Sequence, residues 1–297
     1  FQSRLLDAYG TQVIHQAWKP VTVFLNGQYW GHMNLRERVD RFFIAQFEGL
    51  SLDQADEMDI LEANGSVNFG SNKAYRAMLK KIKAGSPATN PDDLQYILDN
   101  VDVDNLFEYM ALEMFVGNSD IGNIRYYRLH QEGSKWKWIW YDADYGLYSS
   151  KFNSPWSYLK VKGMGEQKID NTIFLKLLEH PDYKRKFLEK LADVYKTFTT
   201  EYMTQVLDGV VAEIQPEMKN HWERWGELND KAVTSEVPTT IDGAYTYWES
   251  RVNRLYNTLK VRPHRLWDFI KDEFKLTKTE MEELFGPQPD YPDDAVL

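Results

Sequence analysis

Asn118-Ser119-Asp120-Ile121-Gly122-Asn123, then Ile124-Arg125-Tyr126-Tyr127-Arg128-Leu129, and after Gly133-Ser134 the run Trp136-Lys137-Trp138-Ile139-Trp140-Tyr141-Asp142-Ala143-Asp144-Tyr145-Gly146, is the stretch that decides the fold. The two aromatic and β-branched runs alternate as strands do, and Gly133-Ser134 is a turn, so together they predict a hairpin. Asp120, Asn123, Asp142 and Asp144 then sit at its mouth. Immediately upstream, residues 103–116 carry Leu106, Phe107, Met110, Leu112, Met114, Phe115 and Val116 at helical intervals, and Gly117-Asn118 is a stop signal.

Working outward, Val21–Leu25 and Gln28–Leu35 read as two strands joined by Asn26-Gly27, which supplies the positive φ of a tight hairpin. A short helix begins near Asp40, whose carboxylate can cap it, and stops at Gly49. Residues 51–72 read as linker around one strand-like piece, Met58–Glu62, and residues 84–93 as a loop. From Asp170 the pattern is helical, through Ile173, Phe187, Met203, Trp248 and Leu259 to Phe274, so the second half of the chain predicts a helical lobe. Residues 286–297, rich in proline and aspartate, predict a disordered tail. The first residues, Phe1-Gln2-Ser3-Arg4-Leu5-Leu6, read as the inside of a helix, and the sequence is expected to be a fragment of a longer chain.

The chain has 297 residues, a net charge of −10 and no cysteine. The length suits one large domain or two lobes. Without cysteine there are no disulfides, thiolate metal sites or cysteine nucleophile. The acidic balance argues against a phosphate-backbone footprint, hence against nucleic acid as partner. No apolar run approaches the length of a membrane span.

An Asp/Asn set without His or Cys suits a hard divalent cation such as Mg²⁺ better than zinc. The chemistry it suggests is phosphoryl transfer, in which one carboxylate orients and deprotonates an attacking hydroxyl while others hold the ion that neutralises the phosphates. Asp120 fits the first role; Asp142, Asp144 and Asn123 fit the second. The plainer alternative is that these are solvated loop residues. The six histidines show no zinc spacing, and Asn64–Gly70 lacks the phosphate-loop pattern. The tryptophans read as packing residues, with a carbohydrate-stacking platform as the alternative. Arg224 and Arg251 are candidates to neutralise acidic groups of the site.

Taken in order, Pro20–Glu37, Asn118-x-Asp120, Asn123–Arg128 and Trp136-x-Trp138-Ile139-x-Tyr141-Asp142-x-Asp144-Tyr145-Gly146 resemble the CotH family, the spore-coat protein H group of atypical protein kinases. The resemblance covers about residues 1–270. It implies an α+β, remote protein-kinase-like fold of two lobes. Residues 1–39 would be the remnant of a small β-containing N-terminal lobe with its hinge, residues 40–285 a larger helical C-terminal lobe, and residues 1–285 together the kinase-like domain. Leu35, Arg36 and Glu37 would lie at the hinge beside adenine. Asp120 would match the catalytic aspartate, and Asp142-x-Asp144-Tyr145-Gly146 the metal-binding motif, a variant of Asp-Phe-Gly. Asn123, only three residues from Asp120, departs from the family spacing and is the weaker ligand. The phosphate-pairing lysine would lie upstream of Phe1. The implied function is transfer of the ATP γ-phosphoryl group, with Mg²⁺ or Mn²⁺, to Ser or Thr of a spore-coat or cell-surface protein. The implied location is the coat or the cell surface. The rival reading is a non-catalytic scaffold of the coat or envelope.

Overall fold

The computed structural model describes residues 1–163, 168–225 and 240–293. Its centre is the helix α5 (Val103–Val116). Helix α1 (Gln2–Tyr9) leads into strands β1 (Trp18–Leu25) and β2 (Gln28–Arg36). Asn26 and Gly27 take φ values of 52° and 79°, the left-handed pair that lets a two-residue turn follow the strand twist. The register slips at Val23/Phe24, so Trp30 bulges out before Gly31. Asp40 caps α2 (Arg41–Phe47) by accepting from the amides of Phe42 and Phe43 at 3.0 and 3.2 Å.

The segment expected to be linker is part of the main sheet. Strands β3 (Met58–Glu62) and β4 (Ser66–Phe69) pair antiparallel, and β3 is the inner strand of the order β4-β3-β5-β6, with β5 at Arg125–Leu129 and β6 at Lys137–Ile139. Both faces of β3 are covered, which removes the period-two alternation by which half-buried strands are read. Helices α3 (Lys73–Ala84) and α4 (Pro91–Asn100) follow, and then α5 (Val103–Val116), which ends at Gly117 with φ 66°. Twelve of the fourteen α5 residues are buried, so the helix is surrounded by protein rather than amphipathic.

The four-stranded sheet has a core on each side. Leu61, Tyr126, Trp136 and Trp138 belong to the large cluster around α5; Ile60, Tyr127 and Ile139 belong to a smaller one under Phe43 and Ile44 of α2. Adjacent strand residues therefore serve opposite cores, as the pleat requires. The remaining elements are α6 (Ser154–Lys160), α7 (Thr172–Leu178), α8 (Pro181–Thr197), α9 (Thr200–Trp225), α10 (Ile241–Phe274) and α11 (Lys278–Phe285). The architecture is α+β, with most helices in the second half.

The β1–β2 hairpin rests on α9. Trp225 Nε1 donates to Trp30 O at 2.7 Å, and His221 Nδ1 accepts from the His32 amide at 3.1 Å. Gly31, with φ 125°, is required there, because a Cβ would stand 2.7 Å from Trp225 Nε1. Residues 286–293 differ from the expected disordered tail. They lie along α10, where Gly286 O accepts from Trp267 Nε1 at 3.1 Å and His264 pairs with Pro289 O at 2.7 Å. Residues 294–297 lie outside the described residues. Among the described residues, no helix is long and apolar enough to cross a membrane.

Candidate functional site

Strand register assembles the site. Arg125, first in β5, pairs with Ile139, last in β6. The loop before β5 and the loop after β6 therefore meet at one end of the sheet. There the Asn123 amide donates to Asp142 Oδ2 at 2.5 Å. Asp142 takes φ 48°, a left-handed backbone that aspartate tolerates better than most residues. The second loop is fixed to the rest of the molecule: Leu147 N donates to Val116 O at 2.6 Å, and Gln2 Nε2 donates to Gly146 O at 2.9 Å. A Cβ at Gly146 would lie 2.7 Å from Gln2 Nε2 and would displace that amide.

The first loop is held from inside. Asn118 is buried, and its Oδ1 accepts from the Asp120 amide at 3.1 Å. Asp120 is half-buried and Asp142 and Asp144 are exposed, but they are near enough to act on one another. Desolvation raises the Asp144 carboxyl above the usual aspartate range, and the charges of Asp142 and Asp120 raise it further. Negative charge thus accumulates where the two loops meet.

Asp142 and Asp144 line a cavity of about 570 Å³ bounded by α1, the β1–β2 hairpin, the 142–148 loop, α9 and α10. Leu207, Val210 and Leu255 line it as well, and Arg36, Arg251 and Arg254 bring positive charge to it. Asp120 and Asn123 do not line it. Of the hinge triplet only Arg36 reaches it. Leu35 is 65% exposed, and Glu37 is turned back, its Oε2 accepting from Ala17 N at 2.9 Å and its carbonyl from Gln16 Nε2. Arg251 thus lies at the cavity, whereas Arg224 stacks over Trp30 and Trp225 at 4.8 and 4.3 Å.

Asp142, Asp144 and Asn123 offer the oxygen donors that a hard cation prefers, and the repulsion of Asp144 by Asp142 and Asp120 favours one. Among the described residues, however, no three His, Cys, Asp or Glu side chains are gathered into a complete metal-holding cluster. Two carboxylates and an amide are fewer donors than an all-protein cage supplies. The indoles of Trp136, Trp138 and Trp140 are buried, which takes them out of any carbohydrate-stacking surface.

Two buried charges beneath the loops escaped the sequence reading. Arg262 of α10 is fully buried; it donates to Phe115 O at 2.9 Å, Met114 O at 2.8 Å, Phe152 O at 2.7 Å and Ser154 Oγ at 2.6 Å. A cation thus sits at the carbonyl end of α5, the negative end of its dipole. It also joins the residues just before the Asp120 loop to those just after the Asp144 loop. Burial pulls the guanidinium down to about 9, still above neutrality, so it remains charged. Glu113 of α5 is 1% exposed, and its Oε2 accepts from Tyr158 OH at 2.8 Å. The available signals were a charge within the apolar run Met110–Val116 and an arginine in phase with Leu259 and Leu266.

Comparison with curated proteins finds no match to the chain. The family model described as CotH kinase protein matches residues 3–266, which span the hairpin, both loops, α5 and most of α10. On that match the chain belongs to the CotH family.

Proposed function

We propose that the chain is an atypical protein kinase that transfers the γ-phosphoryl group of ATP to a Ser or Thr hydroxyl. The observation that carries this reading is the junction of the Asp120 loop with the Asp142/Asp144 loop at the edge of a cavity lined by apolar side chains, by those two carboxylates and by arginines. In this reading residues 1–285 form the kinase-like domain, with residues 1–39 the small lobe and residues 40–285 the large one. The nucleotide occupies the cavity, its base toward the apolar side chains and Arg36 of the Leu35–Glu37 segment, its phosphates toward Asp142 and Asp144. Those two carboxylates, with Asn123 as a lesser partner, hold Mg²⁺ or Mn²⁺, which when bound neutralises charge on the phosphate oxygens.

Asp120, outside the cavity wall and half-buried, faces the acceptor. Its carboxylate accepts the proton of the attacking hydroxyl, the new O–P bond forms on the γ-phosphorus, and the bond to the β-phosphate oxygen breaks to release ADP. The backbone bond to Asn118 holds Asp120 for that role. A spore-coat or cell-surface protein is the proposed acceptor, and the coat or surface the proposed location.

The test compares label from γ-labelled and α-labelled ATP on a mixed protein acceptor and on the chain itself, with and without divalent cation. Label from the γ position alone, lost in Asp120→Asn, supports the kinase. Absence of transfer from either position by folded protein favours the rival, a non-catalytic scaffold of the coat or envelope. Label from the α position would point to nucleotidyl transfer instead.

A further inference from the structure

We propose that Glu113 is a positioning residue for the proposed reaction, acting through Asn118 on the backbone of Asp120. The inference rests on the kinase reading for its role in catalysis, though its structural half is independent of it.

Glu113 and Asn118 are both buried, at the end of α5. Glu113 lies one turn before the end of α5, and its backbone carbonyl accepts from both Gly117 N at 3.0 Å and Asn118 N at 3.3 Å. Its side chain lies under the same loop. Asn118 spends its Oδ1 on the Asp120 amide, which leaves its NH₂ group as the donor available to the Glu113 carboxyl. On the opposite side Tyr158 of α6 donates to Oε2 at 2.8 Å. Glu113 therefore links α5 and α6 to the residue that would take the substrate proton.

The same pocket is short of one hydrogen bond. Tyr109, one turn earlier in α5, faces Glu113, yet among the described residues its hydroxyl and Glu113 Oε1 both lack a partner of full hydrogen-bond geometry. A carboxylate in that pocket is poorly solvated, and the nearby Asp120 charge disfavours it too. Donation from Tyr158 and the nearby polar groups of Asn118 and Tyr109 favour the ionised form but do not outweigh burial, and the carboxyl is pushed up to about 7. The nearby cation, Arg262 of α10, is committed to the carbonyls of Met114 and Phe115 and to Phe152 and Ser154. Gain or loss of one proton at Glu113 changes what Asn118 meets, and so changes the hold on Asp120.

The experiment uses the whole chain as wild type, Glu113→Gln and Asn118→Ala, each checked for cooperative unfolding. Two readouts are followed from about pH 5 to about pH 9. One is kcat and KM for phosphoryl transfer from ATP with Mg²⁺. The other is the Asp120 backbone amide resonance in protein carrying isotope-labelled aspartate. Wild type is expected to show an Asp120 amide shift with a midpoint near 7, which disappears in both variants. Both variants are expected to lose about tenfold to a hundredfold in kcat with KM within about twofold, as for a misplaced catalytic group. An Asp120 resonance that ignores Glu113→Gln, or a Glu113→Gln enzyme with wild-type kcat, overturns the proposal. If wild type shows no transfer, the kinase reading fails, and the amide titration alone then decides whether Glu113 positions the loop. If Glu113→Gln does not fold, Asn118→Ala decides.

Discussion

Replacing Arg262 by methionine keeps most of the side-chain volume and removes every donor of the guanidinium. Three backbone carbonyls and one hydroxyl lose a partner. They do not lose equally. Met114 O keeps the Ser154 hydroxyl, and Phe152 O keeps the Ser154 amide at 3.0 Å, whereas Phe115 O has Arg262 Nε as its donor. An orphaned buried acceptor costs about 1–3 kcal/mol, and each of the two shared carbonyls loses a net bond of about 1 kcal/mol. Against this stands the desolvation of the cation, which the fall of its pKa to about 9 reports and which methionine would not suffer. The carbonyl end of α5 also loses a favourable charge, worth up to about 2 kcal/mol when buried. The expected balance is a loss of about 2–4 kcal/mol in urea unfolding, as a lower midpoint with unchanged slope. Arg262→Lys retains a charge but cannot bridge four acceptors in one plane, so it is expected to fall between methionine and wild type. A methionine variant within about 1 kcal/mol of wild type, or more stable, would refute the reasoning: desolvation would then cancel the bonds.

Glu113→Gln should change the pH dependence of stability as well as activity. The folded-state carboxyl is raised from an ordinary value near 4.5 to about 7, so the native state binds the extra proton; stability is fully present below about 4.5 and lost as pH rises through about 7. The permanently neutral glutamine is expected to equal wild type near pH 5 and to exceed it near pH 8 by up to about 3 kcal/mol, measured by urea unfolding at the two pH values. Asp144→Asn is expected to raise the thermal midpoint slightly without divalent cation, since it relieves the repulsion from Asp142 and Asp120, and to abolish the further rise that Mg²⁺ gives wild type. An Asp144→Asn protein that responds to Mg²⁺ like wild type would count against that carboxylate as a ligand. Gly31→Ala is expected to lower stability by about 1–3 kcal/mol and to change the tryptophan fluorescence, because its Cβ meets Trp225 Nε1 in a backbone conformation that alanine resists.

Much of the architecture is legible where local chemistry and tertiary structure agree. Asn26-Gly27 fixes the first hairpin, Asp40 caps its helix, and α5 runs between the Val103 and Val116 that bound its apolar pattern. The grouping of Asn123 with Asp142 is readable too, because a hairpin must bring its two flanks together. What failed were elements whose surroundings differ from the usual half-buried case. Residues 51–72 read as linker around the strand-like piece Met58–Glu62; that piece is an inner strand covered on both faces, and its partner Ser66–Phe69 is a second strand that the polar composition conceals. The tail reads as disordered from composition, yet carbonyls of Gly286 and Pro289 find ring nitrogens on α10. Leu35 and Glu37 follow from a family pattern, and the side-chain directions within β2 turn only Arg36 toward the cavity. Arg262 and Glu113 matter through partners more than forty residues away in sequence, which no local pattern discloses.

The kinase proposal requires that the two loops form one phosphotransfer site. Its most direct test is divalent-dependent labelling from γ-labelled ATP, comparing wild type, Asp120→Ala and the double variant Asp142→Ala/Asp144→Ala, with nucleotide binding measured on the same samples. Labelling is expected from wild type alone, with binding kept in Asp120→Ala and lost in the double variant. Labelling that survives in Asp120→Ala, or nucleotide binding that is indifferent to the loss of both Asp142 and Asp144, would contradict it.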